Sequence, residues 1–108
     1  MKQLIDSIKK VEHGFKPIIE VGNMMLGDNV ENHFELAKDF LSDWSYQVRM
    51  LATYLLGQLS TKNPEALKLL ETKVAADQDW RVQEMLAKAF DYYCKTIGYE
   101  KSLPTIKK

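Results

Sequence analysis

Two residues of the chain have the types and the spacing that a ligand site needs. Trp80 and Glu84 stand four positions apart at the start of DWRVQEMLAKAFDYYC, residues 79–94. Residues at i and i+4 of a helix lie on one face, one turn apart, so an indole ring and a carboxylate could act on the same ligand. A structural alternative stays open, in which Trp80 packs under a turn and Glu84 pairs with Lys88 on a solvated face.

Other reactive side chains have no partners at a useful spacing. His13 and His33 have no Cys, His or carboxylate at metal-ligand spacing, and we expect both on the surface. Cys94 is the only cysteine, which excludes an internal disulfide and a multi-thiolate metal site and indicates a structural thiol. The sequence has no Gly-rich phosphate loop and no Ser-His-Asp order. We therefore predict no metal and no cofactor.

Composition limits the class of protein. The 108 residues, 45% of them hydrophobic, are enough for one domain with a modest core. The formal charge is zero, although the part from residue 44 onward is mildly basic. There is no signal-peptide pattern, and no apolar run approaches the roughly 18 residues of a membrane span. We predict a cytoplasmic protein without a membrane segment.

Apolar residues recur at a spacing of three to four along the chain, and no stretch alternates long enough to predict a strand. The pattern predicts an all-α protein with six helices. A proline stands at the predicted start of the second helix and of the fifth, as is typical of first turns. The predicted helices cover residues 4 to about 14, 17–26, 31–41, 46–59, 64–76 and 80–97.

The sequence repeats itself at an offset of 34 residues. Each unit has a helix, a turn containing Asp43 or Asp77, and a second helix that opens with an aromatic residue followed two positions later by Val. Helix pairs of this period stack into an α-solenoid; a helical bundle with accidental similarity is the alternative. Arg49 is expected to pair with Asp43 or Asp77 rather than to bind phosphate.

These units predict a single helical-repeat domain. Its predicted parts are an N-terminal helix pair over 1–28, repeats over 31–60 and 64–97, and the start of a further repeat over 99–108. A solenoid normally ends in a polar capping element. We therefore expect the chain to be the N-terminal part of a longer protein, with self-association through the unfinished C-terminal edge.

The segments DFLSDWSYQVRMLATYLLGQLS, VAADQDWRVQEMLAKAFDYYC and GYEKSLPTI resemble the bacterial DNA alkylation repair family. These alkylpurine DNA glycosylases of the AlkC/AlkD type are built of HEAT-like repeats, and the resemblance covers roughly residues 30–106. It implies a right-handed superhelix of antiparallel helix pairs that binds duplex DNA. By resemblance, Trp80 contacts the lesion nucleotide and Glu84 assists cleavage, while Arg81 and Lys88 are candidates for contacts with the DNA backbone.

The implied chemistry is physically reasonable. A purine alkylated at N3 or N7 is already cationic, so it leaves without a general acid. A carboxylate can stabilise the oxocarbenium-like sugar and position water, and an indole face can contact the cation. The family's site also uses an arginine and aromatic residues from later repeats that this sequence lacks, so we expect the 108-residue chain alone to be inactive. The alternative function is a non-catalytic HEAT-like module that binds protein or nucleic acid.

Overall fold

The regular structure of the chain is helical throughout the described residues. The structure, a computed structural model, describes residues 2–11, 14–28 and 33–97, and it contains no strand in these ranges. The helices are α1 Lys2–Ile8, α2 Lys16–Asp28, α3 His33–Phe40, α4 Tyr46–Leu59, α5 Pro64–Leu69 and α6 Trp80–Ile97. The predicted all-α class is confirmed, and the predicted bounds of α4 and α6 agree with the structure.

Helix α4 lies at the centre of the fold because apolar side chains cover most of its circumference. Val48, Leu51, Leu55 and Leu56 have no exposed surface. The helix packs against α2 and α3 on one side and against α5 and α6 on the other. A helix that is apolar nearly all round is stable only when its neighbours cover it. The N-terminal helices and the two repeats therefore share one core.

The contact between α4 and α6 depends on two small residues. A Cβ atom added to Gly57 would lie 2.6 Å from the Cβ of Ala89 and 3.1 Å from its Cα. Ala89 itself is 5% exposed. The absence of a side chain at Gly57 lets the two backbones approach closely, which fixes the position of α6 relative to the centre of the fold.

The turns before α4 and α6 are built alike. In the first, the Asp43 carboxylate accepts a hydrogen bond of 2.9 Å from the backbone N–H of Ser45. In the second, the Asp77 carboxylate accepts one of the same length from the N–H of Asp79. These residues are 34 positions apart, so the repeat in the sequence is also a repeat in local structure, and the predicted helical-repeat fold is confirmed.

Helices α1 and α5 differ most from their predicted bounds, and the ends of α2 and α3 differ by one or two residues. Helix α1 ends at Ile8, and i→i+3 bonds from Lys10 to Ser7 and from Val11 to Ile8 close the following turn. The Val11 carbonyl is then free to accept a bond of 2.8 Å from Nε2 of Gln47. The predicted helix over 64–76 is α-helical only to Leu69 and continues as a π-helical turn over Leu70–Val74. Hydrophobic periodicity does not detect such a local widening.

Some predictions lie outside the described residues. They include the start of a further repeat over 99–108 and the self-association assigned to that edge, as well as the position of His13. The division of the chain into a helix pair over 1–28 and repeats over 31–60 and 64–97 within one domain stays a prediction. Among the described helices, none combines the length and the apolar character that crossing a membrane requires.

Candidate functional site

The first turn of α6 is held firmly in place. Asp79 caps the helix by accepting a bond of 2.9 Å from the N–H of Arg81. The Gln83 amide donates to the carbonyls of Val74 and Asp77 at 2.9 and 2.7 Å. Gln83 occupies the position that Arg49 has in the preceding repeat, and both side chains satisfy carbonyls of the turn before their helix. The start of α6 is therefore a rigid platform.

The buried side of α6 determines which side chains face outward. Val82, Met85, Leu86 and Ala89 face the core, as the helical spacing requires. Trp80 is 63% exposed, and the neighbouring turn of the helix exposes Glu84. The two residues predicted to act together do lie on one open surface.

Trp80 and Glu84 line a concave pocket of about 350 Å³. Three walls meet there: the α1–α2 connection with the start of α2, the start of α4, and the start of α6. The lining residues are Val11, Gly14, Phe15, Ile18, Tyr46, Gln47, Met50, Trp80, Arg81 and Glu84. Tyr46, Gln47 and Met50 are the repeat equivalents of Trp80, Arg81 and Glu84, so the pocket combines matching positions of two repeats. Its volume is within the range of small-molecule sites.

Arg81 pairs with a carboxylate and an aromatic ring of the protein itself. Its guanidinium makes two bonds of 3.0 Å to the two carboxylate oxygens of Asp79. The guanidinium carbon also lies 3.5 Å from the ring centroid of Tyr46. The hydrogen bond from Arg81 lowers the pKa of Asp79, and the effect outweighs the opposing effect of burial. Arg81 thus joins the two repeats across the pocket, with its charge balanced by Asp79.

Glu84 has no partner of this kind. It makes no hydrogen bond or ion pair with any of the described residues. The Lys88 ammonium lies 5.1 Å from the ring centroid of Phe15. The alternative arrangement, with Trp80 under a turn and Glu84 paired to Lys88, is therefore not the one that the structure has. The Glu84 carboxylate is left available to a ligand.

Arg49 connects the two repeat turns, as predicted. Its Nε atom lies 2.8 Å from the carboxylate of Asp77. Its Nη1 atom donates to the carbonyls of Asp43 and Trp44 at 3.0 and 2.9 Å. The predicted pairing with an Asp of a turn is confirmed. This network holds the turns before α4 and α6 side by side.

The sequence did not predict the wall of the pocket that Val11 and Phe15 form. Val11 and Phe15 belong to a non-repeating part of the chain, and no spacing rule connects them with Trp80. Gln47 could have been found, because the offset of 34 residues places it on Arg81. The expectation that His33 is a surface residue was wrong: it is 5% exposed, since the start of α3 packs inward. The described residues contain no group of three or more His, Cys, Asp or Glu side chains suited to a metal ion.

Comparison with known proteins gives two matches among solved structures. AlkD2 from Streptococcus mutans is 42% identical, with a TM-score of 0.90 over 97% of this chain and 51% of that one. The smu.31 protein from Streptococcus mutans UA159 is 40% identical, with a TM-score of 0.83 over 97% of this chain and 52% of that one. The chain thus spans about half the length of both. No family model and no curated protein matches it.

Proposed function

Because the chain belongs to the AlkD-type family of DNA alkylation repair proteins, we propose that it contributes the lesion site of a DNA glycosylase acting on cationic alkylated purines in duplex DNA. The substrates are purines of the 3-methyladenine and 7-methylguanine type. The observation that carries the proposal is the placement of Trp80 and Glu84 on one exposed face of α6, in a single pocket. The proposed location is the cytoplasm.

In the proposed reaction, Glu84 stabilises positive charge as it develops on the sugar. The bond between the sugar carbon and the purine nitrogen breaks, and its electrons neutralise the cationic base. A water molecule oriented by Glu84 forms the new bond to the sugar carbon and gives up a proton to the carboxylate or to solvent. Glu84 makes no hydrogen bond or ion pair with the described residues, which supports this role, because an unpaired carboxylate can face a cation.

Trp80 is proposed to contact the alkylated nucleotide. Its ring is largely exposed, and the capped first turn of α6 holds its backbone. The face of an indole attracts a cation, and the attraction is stronger where water is excluded. Lys88 is proposed to contact the DNA backbone. Arg81 is also proposed to contact the DNA backbone. Its guanidinium then binds phosphate either while it stays paired with Asp79 or after it exchanges Asp79 for the phosphate.

The test is the release of 7-methylguanine from duplex DNA. We expect release by the longest natural form of the protein and none by the 108 residues alone. We also expect none from the Glu84→Gln variant of the long form, which keeps the shape of the side chain and removes its charge. Circular dichroism of the variant should match that of the unaltered protein, because Glu84 is exposed and makes no bond to the residues that the structure describes. Equal release by the long form and its variant would remove Glu84 from the mechanism.

A second candidate function is a non-catalytic HEAT-like module that binds a protein or nucleic acid. The pairing of Arg81 with Asp79 favours it, because it balances the guanidinium charge at the pocket, and the chain as a whole has no net charge. Phosphate binding normally needs several free Lys and Arg side chains. Folded protein that releases no base, and whose DNA affinity is unaffected by Glu84→Gln, would support this alternative.

A further inference from the structure

The turn before α4 presents a second tryptophan to solvent. Trp44 is 79% exposed, more than any other large hydrophobic residue in the described part of the chain. Its backbone is nevertheless fixed, because Asp43 caps the turn and Arg49 donates to the Trp44 carbonyl. The ammonium of Lys9 lies 5.2 Å from the centroid of the indole ring. An aromatic ring on a fixed backbone, with a cation beside it, is therefore left open.

Lys9 and Trp44 each lie two positions before a residue that lines the pocket, Val11 and Tyr46. Arg49 bonds both the Trp44 carbonyl and the Asp77 carboxylate, so the turn that holds Trp44 is next to the turn that leads into Trp80. Lys9 precedes Val11 by two residues, and the Val11 carbonyl accepts from the side chains of Tyr46 and Gln47 in the pocket wall. Arg49 thus holds the turn that contains Trp44 against the turn that leads into Trp80.

We propose that Trp44 and Lys9 form a nucleotide-binding patch beside the pocket. An unpaired base of the bound DNA stacks on the open side of the Trp44 indole, and the adjoining phosphate pairs with the Lys9 ammonium. The proposal rests on the proposed function, since it takes DNA as the ligand of this edge. Base stacking on an exposed aromatic residue beside a cation is a general mode of single-strand binding.

The composition of the surface favours a nucleic acid over a protein partner. A protein interface has a continuous apolar core. In the described ranges, only Met24, Trp44 and Trp80 are exposed large hydrophobic residues, and Lys9 accompanies Trp44. Isolated aromatic rings with an adjacent cation match the alternation of base and phosphate along a nucleic acid strand.

The first test measures the affinity of the protein for a single-stranded oligothymidylate as a function of salt. We expect Trp44→Ala to weaken binding about tenfold, as loss of one stacked base predicts. We expect Lys9→Gln to reduce the slope of log affinity against log salt by about 0.7, the value for one phosphate contact on a single strand. Met24→Ala and Lys95→Gln are matched controls outside the patch and should bind as the unaltered protein does.

The second test follows the indole itself. The chain has two tryptophans, so Trp80→Phe leaves Trp44 as the only source of tryptophan fluorescence. We expect the oligonucleotide to quench this emission at the same concentrations at which it binds. A tryptophan that only supports the fold would not respond.

Unchanged affinity in Trp44→Ala, unquenched emission, or no binding of the oligonucleotide by the unaltered protein would each overturn the patch. The proposed glycosylase function is judged separately, by Glu84-dependent release of 7-methylguanine from duplex DNA. Release without any effect of Trp44→Ala on affinity would leave the function standing and remove the patch. Affinity that depends on Trp44, with no release of 7-methylguanine, would leave the patch standing and remove the proposed function.

Discussion

The guanidinium of Arg49 and the carboxylate of Asp77 meet at 2.8 Å, although 28 residues separate them in the chain. Arg49 is in the first turn of α4 and Asp77 in the turn before α6. Their side chains are only 20% and 14% exposed, so solvent screens the pair weakly. Together with the two bonds from Arg49 to the carbonyls of Asp43 and Trp44, the contact holds the turns before α4 and α6 together.

Arg49→Met should destabilise the protein by about 1–3 kcal/mol, because it removes the ion-pair partner of Asp77 and the side-chain donor to the carbonyls of Asp43 and Trp44. The matched control is Lys95→Met, which breaks an exposed i,i+4 pair with Asp91. That change should cost at most about 0.5 kcal/mol. Urea unfolding at neutral pH measures both. Equal losses in the two variants would contradict the role given to Arg49.

Leu55→Ala should cost about 2–5 kcal/mol, because the side chain is wholly buried in α4 and its removal leaves a cavity. Phe90 is only partly buried at the edge of the core. We therefore expect Phe90→Ala to fall below the range of about 3–5 kcal/mol for a fully buried Phe. Thermal and urea unfolding measure the loss of stability in each variant. A larger loss of stability in a surface variant such as Met24→Ala would refute the prediction.

Gly57→Ala should destabilise the protein, because the new methyl group would overlap Ala89 across the contact of α4 with α6. Overpacking of this kind costs about 1–3 kcal/mol. Gly27 in α2 is the control, since a Cβ there meets no atom within 4 Å. Gly27→Ala should stabilise by up to about 1 kcal/mol through helix propensity. We expect the two substitutions to change the free energy of unfolding in opposite directions.

Asp79 should make the stability depend on acid pH. Its folded-state pKa is lowered, mainly by the hydrogen bond from Arg81, so its stabilisation is complete above the unfolded-state pKa of about 3.9. The stabilisation is lost as the pH falls through the lower folded-state pKa. Asp79→Asn keeps a capping oxygen but lacks the charge. The gap in unfolding free energy between the unaltered protein and this variant should therefore narrow from pH 6 to pH 3; a constant gap would exclude the ion pair as its source.

The sequence alone determined the parts of the protein that depend on local spacing. Helical periodicity located α4 and α6, because each helix must place its own apolar residues on the buried side. The offset of 34 residues predicted the repeat, and the turns of the repeat left Asp43 and Asp77 as the alternative partners of Arg49. Spacing also placed Trp80 and Glu84 on one face, since that relation lies within a single helix. The roles of these two residues came from resemblance and stay predictions.

Only the tertiary structure decided what surrounds those residues. Val11 lies 36 positions before Gln47 in the chain, and their hydrogen bond forms only when α1 ends early and α4 is in place. Arg81 stacks on Tyr46 of another repeat and pairs with Asp79. Contacts of this range depend on how helices pack and leave no period in the sequence. The pocket wall, the balanced charge of Arg81 and the open carboxylate of Glu84 therefore follow from the fold.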